Sequence, residues 1–348
     1  MNVFVIVTPG FPKDETDTTC LPAFQQFALS LKKLYPTTAL IVLSFQYPFE
    51  KKEYLWHGIK VISLGGKNQG GFKRIYTWIK AKAALKKTAK QNSIIGLVSL
   101  WIGECAYVAN NFAKKNQIKH FTWIIGQDAR KENKYVGRVR PRSGQLMAMS
   151  DFLKDEFFRN HGIHPAYVIE NGVNTSVFPM LNTGKREIDI LGVGSLSSLK
   201  NYTLFIEVVA EVKKIFPGVK AAIAGTGEEE AQLKNLAGKL SLQNNLVFLG
   251  SLPHTQIFDC MNNSRLFLHT SRYEGNSTVL MEALCSGCQV ISTCALSHAP
   301  VKNLSVRASK EDLIKSSLEL LQENKTPEKI IFNTMDRSAE KIMNLFLQ

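Results

Sequence analysis

Two rounds of strand–helix alternation, a loop-rich joint between them and a length to match predict an α/β protein of two doubly wound, Rossmann-like domains facing across a cleft. The chain has 348 residues, too many for one ordinary core and close to two cores of roughly 150–180 residues. Short apolar runs separated by helical patterns imply parallel strands covered on both faces. In the first half such runs occupy residues 1–7, 39–44, 60–64, 94–100 and 120–125, with helical periodicity over 21–34, 71–89 and 104–115. Ser150-Asp151 can cap one more helix, running to about residue 160.

The pattern restarts with a strand at 188–193, followed by a helix at 202–215 and a strand at 221–224 closed by Gly225-Thr226-Gly227. An acidic-started helix from residue 228 leads to a strand at 246–249. Helix 257–262, strand 266–269, helix 278–286 and strand 289–292 complete the run. Residues 171–187 read as the joint. The expected layout is therefore a domain over 1–170, a linker over 171–187, a second domain over 188–325 and a C-terminal helical segment, 326–348, that can return to the first domain.

Apolar residues at 45% and charged residues at 21% describe a chain that can bury a core, which excludes a disordered protein. Residues 1–7 read as a first strand rather than a basic leader, and no apolar run approaches the ~20 residues that span a bilayer. The expectation is a cytoplasmic protein, soluble or peripheral on the inner membrane face. Of six cysteines only Cys285 and Cys288 form a C-x-x-C; without a second pair they read as packing residues rather than a zinc or redox site.

The net charge of +14 is unevenly placed: residues 1–179 carry 25 Lys+Arg against 12 Asp+Glu, the remainder 18 against 17. A basic first half suits an anionic membrane surface, an acidic substrate or nucleic acid, and no nucleic-acid-binding motif supports the last. Within it, Phe72, Ile75, Tyr76, Ile79 and Ala83 make one apolar stripe at helical spacing. That is the mark of a helix packed on a sheet, with the lysines around it left to touch solvent or anionic lipid.

The sharpest local signal is Glu274-Gly275-Asn276-Ser277-Thr278-Val279-Leu280-Met281-Glu282. Two carboxylates straddle a loop-to-helix junction. Gly275 admits close backbone approach, and the N–H groups at the helix start suit a diphosphate. Ionised carboxylates accept well from the paired hydroxyls of a sugar or a ribose. Spacing alone is equally compatible with two solvated glutamates on an ordinary helix.

From Ser271 to Ile291 this segment resembles the donor-site motif of the family 4 retaining glycosyltransferases, which have the GT-B fold. Further matches follow the family's order: Val168-Ile169-Glu170-Asn171-Gly172-Val173 is similar to its interdomain segment, and the run from Val193 through Gly194, Ser195 and Lys200 to Asn201 to its phosphate loop. Ala224-Gly225-Thr226-Gly227-Glu228 and Phe248-Leu249-Gly250 resemble its next strand end and its base-side loop. The resemblance implies that Lys200 neutralises the diphosphate, Glu282 holds the ribose, Glu274 holds the transferred sugar, and Gly275, Asn276, Ser277 and Thr278 meet sugar and phosphate. Lys200 can also be a surface lysine, although a cation beside a helix's positive end needs an anion there. Ser195 stands where many relatives have an arginine.

On the other domain, Gly126-Gln127-Asp128-Ala129-Arg130 looks like the family's His-Gly-x-Asp stretch with Ile125 in place of the histidine. Asp128 is then either a positioning carboxylate or a turn aspartate. Arg130 and Gly10 fall on the acceptor side. The implied activity is metal-independent, cofactor-free, retaining transfer from a nucleotide sugar to a glycan or lipid-linked acceptor of a surface polysaccharide or glycolipid. Hydrolysis or epimerisation of the nucleotide sugar, and its binding without turnover, are the alternatives.

Overall fold

The computed structural model describes residues 1–323 and 325–348, which form two compact units: Met1–Gly172 with Met335–Gln348, and Val173–Thr334. The first unit is built on an eight-stranded sheet of order β3-β4-β2-β1-β5-β6-β7-β8. Its strands are β1 (Asn2–Gly10), β2 (Ala39–Tyr47), β3 (Lys51–Trp56), β4 (Ile59–Leu64), β5 (Ser93–Leu100), β6 (His120–Ile124), β7 (Leu146–Ala148) and β8 (Tyr167–Val168). All pairings are parallel except β3 with β4. Chain order reverses between β1 and β5, so the crevice expected of an open parallel sheet lies at the carboxyl ends of those strands.

Helices α1 (Pro22–Leu34), α2 (Gly71–Gln91), α3 (Glu104–Asn116), α4 (Tyr135–Val139) and α5 (Asp151–His161) connect the strands. Ser150 caps α5 by accepting from the Leu153 N–H at 3.2 Å. The edge strand β3 has no counterpart in the apolar pattern because its first half is charged, Lys51-Lys52-Glu53, and only Tyr54-Leu55-Trp56 is apolar. It is defined instead by the two-residue turn His57-Gly58, both with positive φ, which folds it antiparallel onto β4.

In α2 the structure corrects the expected packing. The face buried on the sheet is Thr77, Ala81, Leu85 and Thr88, whereas Phe72, Ile75, Tyr76 and Ile79 point to solvent. Periodicity identifies a face but not the side it turns to. Here small side chains let the helix lie close to β2, β4 and β5, and Trp78 Nε1 pins it by donating to Glu104 Oε2 at 2.8 Å.

The C-terminal helix, Met335–Leu347, belongs to this first unit. Phe346 makes edge contacts with Phe4 and Phe121, at 4.8 and 4.9 Å between centroids. Gly96 of β5 makes room for it: a Cβ there would lie 2.1 Å from the Phe346 ring. Lys341 pairs with Glu170 at 2.9 Å and Lys33 with Asp336 at 2.7 Å.

The second unit carries β9 (Ile188–Val193), β10 (Ala221–Ala224), β11 (Leu246–Gly250), β12 (Ser264–His269), β13 (Gln289–Ser292) and β14 (Leu304–Val306). Their parallel order, β11-β10-β9-β12-β13-β14, is the 3-2-1-4-5-6 arrangement of a dinucleotide-binding sheet. α6 (Tyr202–Ile215), α7 (Glu230–Lys239) and α10 (Lys310–Gln322) cover one face. α8 (His254–Asn262) and α9 (Thr278–Cys285) cover the other. From Val173 onward the expected linker is integral to this unit: Val173 lies in its core, and buried Arg186 donates to the carbonyls of Ser264 and Ser286.

Phe346→Ala should cost the first unit about 3 kcal/mol or more, the usual range for removing a buried phenyl ring. Chemical denaturation checks this, and a loss below about 1 kcal/mol would show that the terminal helix is not part of the unit's core.

Candidate functional site

The carboxyl edge of the second sheet is assembled by backbone contact before any side chain is considered. β9 ends at Gly194 (φ +154°) and β10 at Gly225 (φ +143°). A Cβ on Gly225 would sit 1.9 Å from the Gly194 carbonyl oxygen, and one on Gly227 would sit 2.3 Å from that of Leu196. Only glycine lets the two loops touch. Their contact is sealed by Leu196 N–H donating to Thr226 at 2.9 Å and Gly225 N–H donating to Gly250 at 2.7 Å. Gly250 itself (φ +69°) has open space around its α-carbon and serves conformation alone.

Between β9 and β12 the chain order reverses, and there the two loops that carry charge are stitched together. Arg272 N–H donates to the Leu199 carbonyl at 2.9 Å, and Thr270 Oγ1 donates to that of Lys200 at 3.0 Å. This brings Lys200 Nζ to 2.5 Å from Glu274 Oε1, with the two side chains only 22% and 15% exposed. Lys200 lies just before the N-terminus of α6, where the helix dipole disfavours a cation. Glu274 supplies the compensating anion, and a bound diphosphate would add a second.

Burial opposes the charge on Glu274, yet the hydrogen bond from His269 and the Lys200 cation more than offset it, holding the carboxyl at about 2. His269 Nε2 lies 3.2 Å from Glu274 Oε1 and Nδ1 lies 2.9 Å from Ser292 Oγ. Burial keeps this imidazole below its usual range, so it is neutral and Lys200 is the cation of the cluster. An ionised Glu274 can only accept, which places a proton on Nε2, while the Ser292 hydroxyl beside Nδ1 donates to the Cys294 carbonyl at 2.7 Å. His269 thus positions the glutamate.

Asn276 and Ser277, on the loop into α9, are both buried. Among the described residues Asn276 stands out because neither amide atom has a partner within the chain. A buried carboxamide left unpaired by its own protein has its hydrogen-bonding capacity available to a water or a ligand. Ser277 is the N-cap residue of α9 without a side-chain capping bond, Thr278 opens the helix, and Gly275 lies in the loop between Glu274 and Asn276. One turn into α9, Glu282 is 8% exposed and its Oε1 lies 2.9 Å from His254 Nε2. Burial lowers the His254 pKa, but the hydrogen bond and the charge of Glu282 raise it further, so the balance is upward. His254 opens α8 and was not legible as a site residue: it lies 28 positions from its partner. Ser195 is exposed on the loop after β9. Among the described residues no three His, Cys, Asp or Glu side chains gather as metal ligands.

In the first unit Asp128 takes the turn role. Its Oδ2 accepts from Ile102 N–H at 2.9 Å, and its Oδ1 from Gly126 and Ile125 N–H at 2.8 and 3.1 Å. This buried carboxylate ties the loop after β6 to the loop after β5, where Trp101 has φ +61°. Gly10 ends β1 opposite Tyr47 and is packed by Cys20 and Tyr47, while Arg130 follows the Asp128 turn. Cys285 and Cys288 are buried thiols, pushed by burial up to about 11 and about 12; Cys288 Sγ donates to the Met261 carbonyl at 3.1 Å.

The depressed Glu274 carboxyl has a consequence for acid stability. Its contribution is fully present above about 4.5, its unperturbed value, and is lost as pH falls toward about 2. Glu274→Gln should therefore flatten the acid-unfolding curve between those limits relative to wild type. Parallel curves would mean that Glu274 is not held as an ion in the folded state.

Residues 175–337 match the family model of the glycosyl transferases group 1. One component of the phosphatidylinositol N-acetylglucosaminyltransferase of Arabidopsis thaliana is 28% identical over 154 residues, 43% of this chain and 34% of that protein. The N-acetylgalactosamine-N,N'-diacetylbacillosaminyl-diphospho-undecaprenol 4-alpha-N-acetylgalactosaminyltransferase of Campylobacter jejuni is 26% identical over 207 residues, 56% of this chain and 50% of that protein. The chain thus spans between a third and a half of the length of these curated relatives. Among solved structures, Anabaena Alr3699/HepE in complex with UDP and glucose superposes with a TM-score of 0.68 at 17% identity, covering 99% of this chain and 97% of that one. WaaG, a glycosyltransferase involved in lipopolysaccharide biosynthesis, does so with 0.66 at 15%, covering 99% and 95%. The group 1 match lies on the unit that holds Lys200, Glu274 and Glu282, so residues 175–337 are a glycosyl transferases group 1 segment within a chain that has the GT-B fold over nearly its whole length.

Proposed function

We propose that the chain transfers a sugar, with retention of anomeric configuration, from a nucleoside-diphosphate donor to a glycan or lipid-linked acceptor of a surface polysaccharide or glycolipid. The observation that carries this reading is the half-buried Lys200–Glu274 pair at the reversal point of the second sheet, one short loop from the unpartnered Asn276 and from Glu282. Lys200 and the N–H groups opening α9 face the charge that a leaving diphosphate develops. Glu282, steadied by His254, accepts from the ribose hydroxyls. Glu274 and Asn276 hold the transferred sugar. A donor phosphate oxygen takes the acceptor proton, so catalysis rests on positioning and electrostatics rather than on a protein base.

The relatives support the acceptor class: two carry phosphatidylinositol or diphospho-undecaprenol in their names. Among the described residues no helix is long and apolar enough to cross a membrane, so a lipid-linked acceptor would be met from the bilayer surface.

Glu282→Ala removes charge-assisted hydrogen bonds worth roughly 1.5–3 kcal/mol each. Affinity for nucleotide sugar and for free nucleoside diphosphate should both fall by about tenfold or more in calorimetric titration. Glu274→Gln should lower turnover by a larger factor than it weakens nucleoside diphosphate, because the lost charge faces the reacting sugar. Full turnover in both folded variants would remove the donor-site reading. Chelator should leave turnover largely intact; a complete loss restored by Mg²⁺ or Mn²⁺ would overturn metal independence.

A further inference from the structure

The outward face of α2 is the largest unexplained feature of the first unit. Phe72, Ile75, Tyr76 and Ile79 are 90%, 49%, 60% and 57% exposed, at the i, i+3, i+4 and i+7 positions of one helical face. Single exposed apolar side chains are ordinary, but four in a row on a helix fixed at its back by Trp78 and Glu104 form a surface. The helix holds seven Lys and Arg residues between Gly71 and Gln91 and no acidic one. At about 100° per residue, Lys73, Lys80 and Lys87 flank the stripe on one side and Lys82 on the other, while Lys86 and Lys90 continue its line. Lys80 Nζ lies 4.3 Å from the centre of the Tyr76 ring.

We propose that this face of α2 is an interfacial membrane-binding surface, seating Phe72, Ile75, Tyr76 and Ile79 at the headgroup–acyl boundary of an anionic bilayer while the lysines meet lipid phosphates. An apolar stripe bordered by basic side chains is what such an interface selects. Charge decides between occupants. The first unit carries 27 Lys+Arg against 14 Asp+Glu, so pairing this face with a second copy of itself would oppose two wholly basic helices. An anionic lipid surface complements it.

Placement gives the surface a use, and this step alone rests on the proposed transfer. α2 follows β4, a strand parallel to β2 and through it to β1, so the turns bearing the stripe start at the carboxyl edge of the sheet. The loops after β1, β5 and β6, with Gly10, Trp101 and Asp128, lie along that same edge. A bilayer held by Phe72 and Ile79 would bring a lipid-borne acceptor to the edge of this unit where ligands of open parallel sheets bind.

Cosedimentation with vesicles of equal parts phosphatidylglycerol and phosphatidylcholine, against phosphatidylcholine alone, tests the binding without any need for turnover. Wild type should prefer the acidic vesicles and keep part of its binding at high salt, since apolar insertion is not screened. Phe72→Ser with Ile79→Ser, both on the solvent face, should keep the wild-type melting temperature and weaken partitioning by roughly tenfold or more, leaving only salt-sensitive binding. Lys80→Gln with Lys82→Gln and Lys86→Gln should reduce the preference for acidic lipid. Wild type binding neither vesicle, or the serine variant binding like wild type, would overturn the proposal. So would a wild-type dimer in sedimentation equilibrium that the serine variant dissociates, which would assign the stripe to a second copy.

Discussion

A lysine and a glutamate that are both largely withdrawn from water must satisfy each other, and in this protein Lys200 and Glu274 do so at 2.5 Å. Removing one partner leaves the other charge half-buried and without its compensation. The surrounding structure is organised to keep both. Backbone hydrogen bonds from Arg272 and a side-chain bond from Thr270 clamp the two loops, and a neutral His269 fixes the carboxylate from its other side. The glycine contact between the loops after β9 and β10 sets the floor on which the pair rests. These contacts orient the pair through the protein's own groups, which is what the proposed electrostatic catalysis asks of them, because groups already oriented need no reorganisation at the moment of reaction.

The two units use one architecture for different ends. In the second, the reversal between β9 and β12 is lined with charge and with an unpaired buried amide. In the first, the corresponding edge is rigidified: Asp128 spends both oxygens on backbone donors, and the left-handed Trp101 turn is held by it. The C-terminal helix completes the first unit through Phe346, which fills the space that Gly96 leaves open. What the first unit adds is surface chemistry, a basic field and an outward apolar stripe.

Much of the second unit was legible from the residues. Strands 188–193, 221–224 and 289–292 and helix 202–215 coincide with β9, β10, β13 and α6; the first two are short apolar runs closed by Gly194 and Gly225, a pattern with little alternative. Lys200, Glu274 and Glu282 stood out through motif order, and their mutual geometry followed from the loops. Hidden were the partners that arrive from distant chain positions: His254 for Glu282, and the Ile102 N–H for Asp128. The α2 stripe was visible but assigned to the wrong side, since hydrophobicity predicts burial and here Thr77, Ala81 and Thr88 occupy the buried face instead. The edge strand β3 escaped because its identity lies in the His57-Gly58 turn rather than in an apolar run.

The central claim is that a nucleoside diphosphate lies against the Gly194–Lys200 loop and the start of α9. Backbone amide hydrogen exchange with and without UDP, ADP and GDP locates it directly. The account predicts that at least one of the three slows exchange in residues 194–201 and 274–279 together, with unit-wide protection much smaller. A nucleotide that binds yet protects neither segment, or protects only the first unit, would contradict it.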